Sequence, residues 1–370
     1  MGSYGVYVHL PWCATRCHYC SFNIHLDRRR PERAYTTALL RQWAAHAEHF
    51  QGAPETLHFG GGTPSLHPVE LLAELIEAVG AQAEVALEAN PSSTSPEQVR
   101  AWLDAGVTRL SLGIQTFSPR FARFLNRGHS LEESLALLDA VATERPASWS
   151  VDLIFGLPEQ TLAELDEELD HLLSRRPPHV SLYGLTVEPG TAYANTVGRG
   201  RRPPAGEELW ERMYLRVVER LSESGYERYE VSNFALPGHR SRHNEHTWRY
   251  RPYAGLGAGA HGFLPSGART VGRPDPAGFI ANPLLWESLE PPDPEQALSD
   301  LVVSTLRHTE GLPRPTLRRM GQRLDLAALA PLLDSGHLAL SPEALRLGPA
   351  GWTVADALSL KVRQSFRPLA

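Results

Sequence analysis

Only three cysteines occur in 370 residues, and all fall within eight positions: Cys13, Cys17 and Cys20. An odd number packed this tightly excludes a disulfide framework. No apolar run approaches the roughly 18 residues that a membrane-spanning helix needs. No basic n-region followed by an apolar stretch and a small-residue cleavage site opens the chain, which predicts a cytoplasmic protein. A lipid anchor finds no support, because Val6 stands where a myristoylation signal starting at Gly2 wants Ser or Thr. Basic charge is not in excess either: 36 basic against 42 acidic residues give a net charge of −6, the wrong sign for a protein that coats nucleic acid. Lysine is nearly missing, Lys361 being the single one, a bias of coding rather than of design.

What is present reads as a soluble chain able to bury a core, with 42% hydrophobic and 21% charged residues. Strand-like runs cover Tyr4–Leu10, Thr56–Phe59, Glu84–Glu88, Thr108–Ile114, Trp149–Phe155 and His179–Thr186. Helical periodicity separates them, over Glu32–His49, Pro68–Val79, Pro96–Ala105, Leu131–Val141 and Leu162–Leu173, and returns at Glu207–Leu221. Ser95, Pro96 and Gln98 have the positions of N-cap, first helical residue and N3. Six strand–helix units predict an α/β fold with a parallel sheet over residues 1–235; periodicity does not choose between an open sheet and a partial (β/α)6 barrel, and the barrel is the expected form. Polar and Gly-rich loops after the strands would then ring one mouth. Residues 236–294, rich in Gly, Pro, His and aromatics, are expected to form a loop-rich extension closing the barrel. Residues 295–370 are expected to form a small helical module of winged-helix type, with two short strands flanking Gly348–Gly351.

Cys13-Ala-Thr-Arg-Cys17-His-Tyr-Cys20 follows the first strand directly. Three thiolates on so short a loop can converge on one metal centre at little entropic cost. Thiolates select iron–sulfur clusters or zinc. A closed zinc site needs a fourth ligand, which His9 or His18 could supply, whereas a [4Fe–4S] cluster would keep one iron open.

The spacing Cys-x3-Cys-x2-Cys, with Tyr19 before the last cysteine, resembles the signature of the radical S-adenosylmethionine (SAM) enzymes. In that family the open iron holds SAM, and reduction of the cluster cleaves it to a 5′-deoxyadenosyl radical. Seven further segments narrow the likeness: Tyr7–Cys13, Gly60–Pro64, Glu88–Pro91, Leu112–Phe117, Leu125–Arg127, Asp152–Pro158 and Tyr229–Phe234. They resemble the branch that contains oxygen-independent coproporphyrinogen III oxidase and the HemW haem chaperones. The resemblance implies that Cys13, Cys17 and Cys20 hold the cluster. It implies SAM contacts at Tyr7, Tyr19, Gly61, Gly62, Thr63, Glu88, Gln115, Arg127 and Asp152, with Gly184 and His261 as looser matches.

Two departures choose within the branch. The oxidases carry a fourth Cys two residues after the third, where this chain has Phe22, and a long arm ahead of the first strand. His243-Asn-Glu-His-Thr-Trp248 resembles the HNxxYW haem motif of HemW proteins, with Thr247 in place of the motif's Tyr. A haem site at His243, His246 and Trp248 is therefore expected, imidazole being a common axial ligand. The implied function is a haem chaperone that delivers haem to an acceptor protein, with an electron donor as a further partner if SAM is cleaved. The enzymatic alternative is oxidative decarboxylation of coproporphyrinogen in porphyrin biosynthesis, and the non-redox one a zinc-bound interaction protein. Gly257-Ala-Gly-Ala-His-Gly262 satisfies GxGxxG without the strand and helix of a dinucleotide site; its glycines are expected to let the backbone pass close to SAM or haem.

Overall fold

A computed structural model describes residues 3–27 and 29–369. Met1, Gly2, Arg28 and Ala370 lie outside them, and so does the question of a lipid on Gly2. No helix among the described residues is long and apolar enough to cross a membrane.

The chain opens with β1 (Gly5–Leu10), α1 (Glu32–His46), β2 (Thr56–Gly61), α2 (Val69–Val79), β3 (Glu84–Ala89) and α3 (Pro96–Asp104). It continues through β4 (Arg109–Gln115), α4 (Pro119–Leu125), α5 (Leu131–Glu144), β5 (Ser148–Phe155), α6 (Leu162–Arg175) and β6 (His179–Gly184). Strands β1 to β6 pair in order and in parallel, as the strand–helix alternation predicts. The start of α3 follows the sequence: Ser95 accepts from the Gln98 N–H while Gln98 Oε1 accepts from the Ser95 N–H.

These strands alternate in a way that buried parallel strands seldom do. Val6, Val8, Leu10, Leu57, Phe59, Val85, Leu87, Leu110 and Leu112 form one face and pack into the core with Tyr35, Leu39, Leu72 and Leu75 of the surrounding helices. The other face is polar. His58 Nε2 donates to Glu88 Oε1 at 3.0 Å, Ser111 Oγ lies 2.9 Å from Ser150 Oγ and donates to Asp152 Oδ2 at 3.0 Å, and Arg109 Nη1 donates to Ser148 Oγ at 3.0 Å. Period two is thus a period between helix-facing and lumen-facing sides.

Helices α7 (Ala192–Gly198) and α8 (Glu207–Glu223) lead to β7 (Glu227–Arg228) and β8 (Asn233–Ala235), which extend the sheet antiparallel beyond β6. The next residues hold more regular structure than a loop-rich segment. They form α9 (Arg242–Trp248), β9 (Tyr253–Leu256), β10 (His261–Phe263), β11 (Arg269–Gly272), α10 (Pro276–Ala281) and β12 (Trp286–Glu290). Strands of three to five residues between Gly and Pro are too short to show a period, which is why the sequence hides them. Strand β9 pairs with β1, so the extension lengthens the sheet past β1 instead of bridging β1 to β6. What it closes is the floor: Arg242 and His243 of α9 donate backbone N–H groups to Glu84, at the start of β3.

The chain ends in α11 (Pro294–Leu306), β13 (Leu312–Pro313), α12 (Arg314–Arg319), β14 (Gln322–Leu324), α13 (Leu326–Asp334), β15 (Leu338–Leu340), β16 (Ala344–Leu347), α14 (Ala355–Gln364) and β17 (Phe366–Pro368). Strand β16 precedes Gly348 as expected, whereas the residues after Gly351 wind into a 3-10 turn and then α14 rather than a strand. Ala355, Leu358, Ser359 and Val362 are buried at helical spacing, and burying that stripe overrides local strand propensity.

Candidate functional site

The loop that follows β1 is closed at its neck. Cys13 N–H donates to the His25 carbonyl at 3.0 Å, and His25 N–H returns to the Pro11 carbonyl at 2.7 Å. Its far side is pinned to α4. His18 N–H donates to the Leu125 carbonyl at 3.1 Å, His18 Nδ1 to that of Phe124 at 2.7 Å, and Asn126 Nδ2 to that of Arg16 at 2.8 Å. A fixed loop of this kind holds its side chains at the C-terminal mouth of the sheet.

There, Cys13, Cys17 and Cys20 line one cavity of about 440 Å³. Tyr19, Gly61, Gly62, Thr63, Glu88, Gln115, Arg127, Asp152 and Gly184 line the same cavity. Tyr7 and His261 do not. Tyr7 lies beneath, its hydroxyl 3.0 Å from His9 Nδ1 and its ring stacked on His58, while His261 is an exposed side chain at the start of β10. Sequence reasoning passed over Ser111 and Tyr183 as lining residues, and gave Asn90 only a place on a mouth loop and Phe22 only that of the oxidases' fourth Cys. Ser111 and Tyr183 share the lumen-facing register of Asp152, a signal available from strand alternation alone.

Local backbone shapes the wall. Gly61 has φ +113°, and a Cβ there would stand 2.6 Å from the His9 ring; one on Gly62 would stand 2.6 Å from the Trp12 carbonyl. Only glycine lets β2 run this close to the cysteine loop. Gln115 takes φ 69° at an irregularity in the β4–β5 register, a strained position for a residue with a side chain. Glu168 of α6 holds the turn behind it by accepting from the backbone N–H of Phe117 at 2.6 Å and of Ser118 at 3.2 Å.

Burial pushes the Cys13 thiol up to about 11, against a lowering hydrogen bond from Thr63, and burial likewise raises that of Cys20. Asp152 is pushed up to about 6 by burial, which outweighs its serine hydrogen bonds. Three buried polar atoms among the lining residues have no partner: Asp152 Oδ1, Arg127 Nε and His129 Nδ1. They fit a ligand with hydroxyl and carboxylate groups. Among the described residues, no three His, Cys, Asp or Glu side chains gather closely enough for one metal ion. His9, with Nδ1 against Tyr7 and Nε2 against the Asn23 carbonyl, is fully engaged, and neither His9 nor His18 lines the cavity. Three thiols sharing a cavity without converging on a point suit a group larger than a zinc ion.

The three haem candidates lie elsewhere, at the N-terminal end of the strands. His243 is buried, its Nδ1 2.9 Å from Thr56 Oγ1 and its ring stacked on His58 at 4.8 Å. His246 is buried and donates from Nε2 to the Pro252 carbonyl at 2.8 Å. Trp248 is half-buried with the Arg307 guanidinium 5.8 Å from its ring. They share α9 but present no common open face. The Gly257–Gly262 loop also departs from expectation. A Cβ on Gly257 would stand 2.6 Å from the His9 carbonyl, and one on Gly259 2.4 Å from Asn23 Nδ2, so these glycines admit protein neighbours and lie outside the cavity lining.

The sequence profile of the radical SAM superfamily matches residues 7–172. Among curated proteins, the chain is 32% identical over 325 residues to the heme chaperone HemW of Haemophilus influenzae, covering 84% of both chains. It is 33% identical over 324 residues to HemW of Escherichia coli, again covering 84% of both. A mitochondrial radical S-adenosyl methionine domain-containing protein 1 from Bos taurus is 34% identical over 383 residues, covering 96% of this chain and 86% of that one. Among solved structures, coproporphyrinogen III oxidase HemN of Escherichia coli superposes with a TM-score of 0.81 at 20% identity, over 98% of this chain and 90% of that one. That likeness speaks for the fold alone.

Proposed function

Because this chain belongs to the radical SAM superfamily, in its HemW-type branch, we propose that it is a haem chaperone that carries a [4Fe–4S] cluster and SAM and passes haem to an acceptor protein. One observation carries the cofactor half of the reading: three thiols share a cavity with three buried, unpartnered polar atoms. Cys13, Cys17 and Cys20 would hold three irons, leaving the fourth for SAM. When bound, such a cluster supplies the single electron that SAM cleavage requires.

The chain's own groups do the rest. Asp152, with one oxygen free, and Glu88 accept from ribose hydroxyls. Arg127 offers its free Nε to the methionyl carboxylate. The Gly62 and Thr63 N–H groups are already donated to the Leu10 and Trp12 carbonyls, so Gly61 and Gly62 serve the methionyl amino acid by leaving room for it, and Tyr19 shields the cluster from water. Phe22, 65% exposed and part of the cavity wall, occupies the place of the oxidases' fourth cysteine and leaves no thiol there.

Haem binding belongs with α9. His243 can reach a haem iron only if α9 lifts from Thr56 and Glu84, so access by opening is part of the proposal. The deciding experiment is an anaerobic titration of reconstituted full-length protein with haem. Saturable binding, with about four irons per chain in the protein and no cluster in Cys17→Ala, is expected. Absence of haem binding, or formation of protoporphyrinogen from coproporphyrinogen and SAM, would overturn the chaperone reading.

A further inference from the structure

One hydrogen-bond path joins two of the three cysteine sulfurs, and its midpoint is a residue with no role so far. Asn90 follows β3 on the cavity wall. Arg127 Nη2 donates to Asn90 Oδ1 at 2.6 Å, and Asn90 Nδ2 donates to Thr63 Oγ1 at 3.3 Å. From these two ends, Arg127 Nη1 reaches Cys17 Sγ at 3.3 Å and Thr63 Oγ1 reaches Cys13 Sγ at 3.4 Å. The amide therefore spends its acceptor on one sulfur's donor and its own donor on the other's.

Asn90 is itself held. Its N–H donates to Ser65 Oγ at 3.3 Å, and its carbonyl accepts from Ser93 Oγ at 3.1 Å and Thr94 Oγ1 at 2.9 Å. The neighbouring strand is cleared for it: a Cβ on Gly113 would stand 2.5 Å from Asn90 Oδ1. The Gly113 carbonyl accepts from Arg127 Nη2 at 2.5 Å, so the guanidinium is fixed from two sides while its Nε stays free. An anchored amide between two long, rotatable donors removes their freedom before any ligand arrives.

We propose that Asn90 is a positioning residue that fixes the hydrogen-bond donors at two of the three cysteine ligands, and thereby sets the cluster's reduction potential and aims Arg127 at the SAM carboxylate. This rests on the cluster and SAM reading above. Donors at cysteine sulfurs favour the more negative, reduced cluster, so they raise its potential. If the Asn90 side chain only fills space beside a turn that its backbone already makes, removing the amide changes neither the potential nor SAM affinity.

The test uses full-length protein reconstituted without oxygen, with Asn90→Leu, of similar volume, and Thr63→Val, which removes one arm. Iron content, an EPR-monitored redox titration and SAM calorimetry are the readouts. Asn90→Leu should keep its iron, shift the midpoint to more negative potential and weaken SAM binding by on the order of tenfold. Thr63→Val should shift the midpoint the same way and by less, because the Asn90–Arg127 bond persists. An unchanged midpoint in Asn90→Leu overturns the inference. Should that variant lose its iron, an unchanged midpoint in Thr63→Val overturns it instead. Failure of the unvaried protein to load a cluster or bind SAM is a separate result, and removes the reading beneath it.

Discussion

Asp152 shows what a single buried carboxyl does to the stability of the empty protein. In the folded chain it keeps its proton up to about pH 6, whereas the unfolded reference value is 3.8. Between those values the folded state binds more protons, so stability falls as pH rises through that window, and the full cost remains above it. Asp152→Asn should therefore stabilise the chain at pH 7.5 and much less at pH 4, which urea denaturation at the two pH values measures. The same substitution should weaken SAM binding. In the proposed haem site His243 poses the opposite problem, a ligand that is tied up. Thr56→Val frees its Nδ1 and should tighten haem binding a few-fold, the worth of one ordinary hydrogen bond at about 1 kcal/mol, while His243→Ala weakens it. Equal haem affinity in both variants, followed by Soret titration, would remove His243 from the haem site.

At the scale of elements, the sequence was legible wherever local chemistry and tertiary packing agreed. Ser95, Pro96 and Gln98 announce the start of α3, and the structure forms that reciprocal cap. Ser95→Ala should cost about 1 kcal/mol, visible as a lower denaturation midpoint with unchanged slope. The six parallel strands were equally readable because Val6, Val8, Leu57 and Leu87 carry the helix-facing period. The cavity wall was readable through its motifs, from Cys13 to Asp152. Three things were not. Strands β9 to β12 are too short to display a period, α14 is stabilised by a stripe whose partners lie in another helix, and the burial of His243 depends on Thr56 and Glu84, which are distant in sequence. A motif names residue types; it does not say which end of the sheet they occupy.

On the scale of the whole molecule, the cysteines and α9 stand at opposite ends of one polar lumen. Glu88 lines the cavity, His58 hydrogen-bonds it from below, and His243 stacks on His58 at the floor. Polar side chains joined by a hydrogen bond and ring stacking in this column replace the aliphatic layers that usually fill a parallel barrel. The extension joins the two ends from outside. It supplies α9 at the floor, and its Ala258 and Pro274 carbonyls accept from Asn23 Nδ2, beside the cysteine loop, at 3.0 and 2.9 Å.

That last tie has a consequence in the currency of time. Dioxygen destroys exposed iron–sulfur groups, so the working life of the protein in air depends on how often the cysteine loop breathes open. Asn23 staples that loop to the extension and thus acts as a clock on damage. Asn23→Ala should bleach faster on aeration while loading the same iron at the start, and amide exchange in the extension should quicken in step. If bleaching keeps its original rate, oxygen enters through the open mouth and the staple keeps no time.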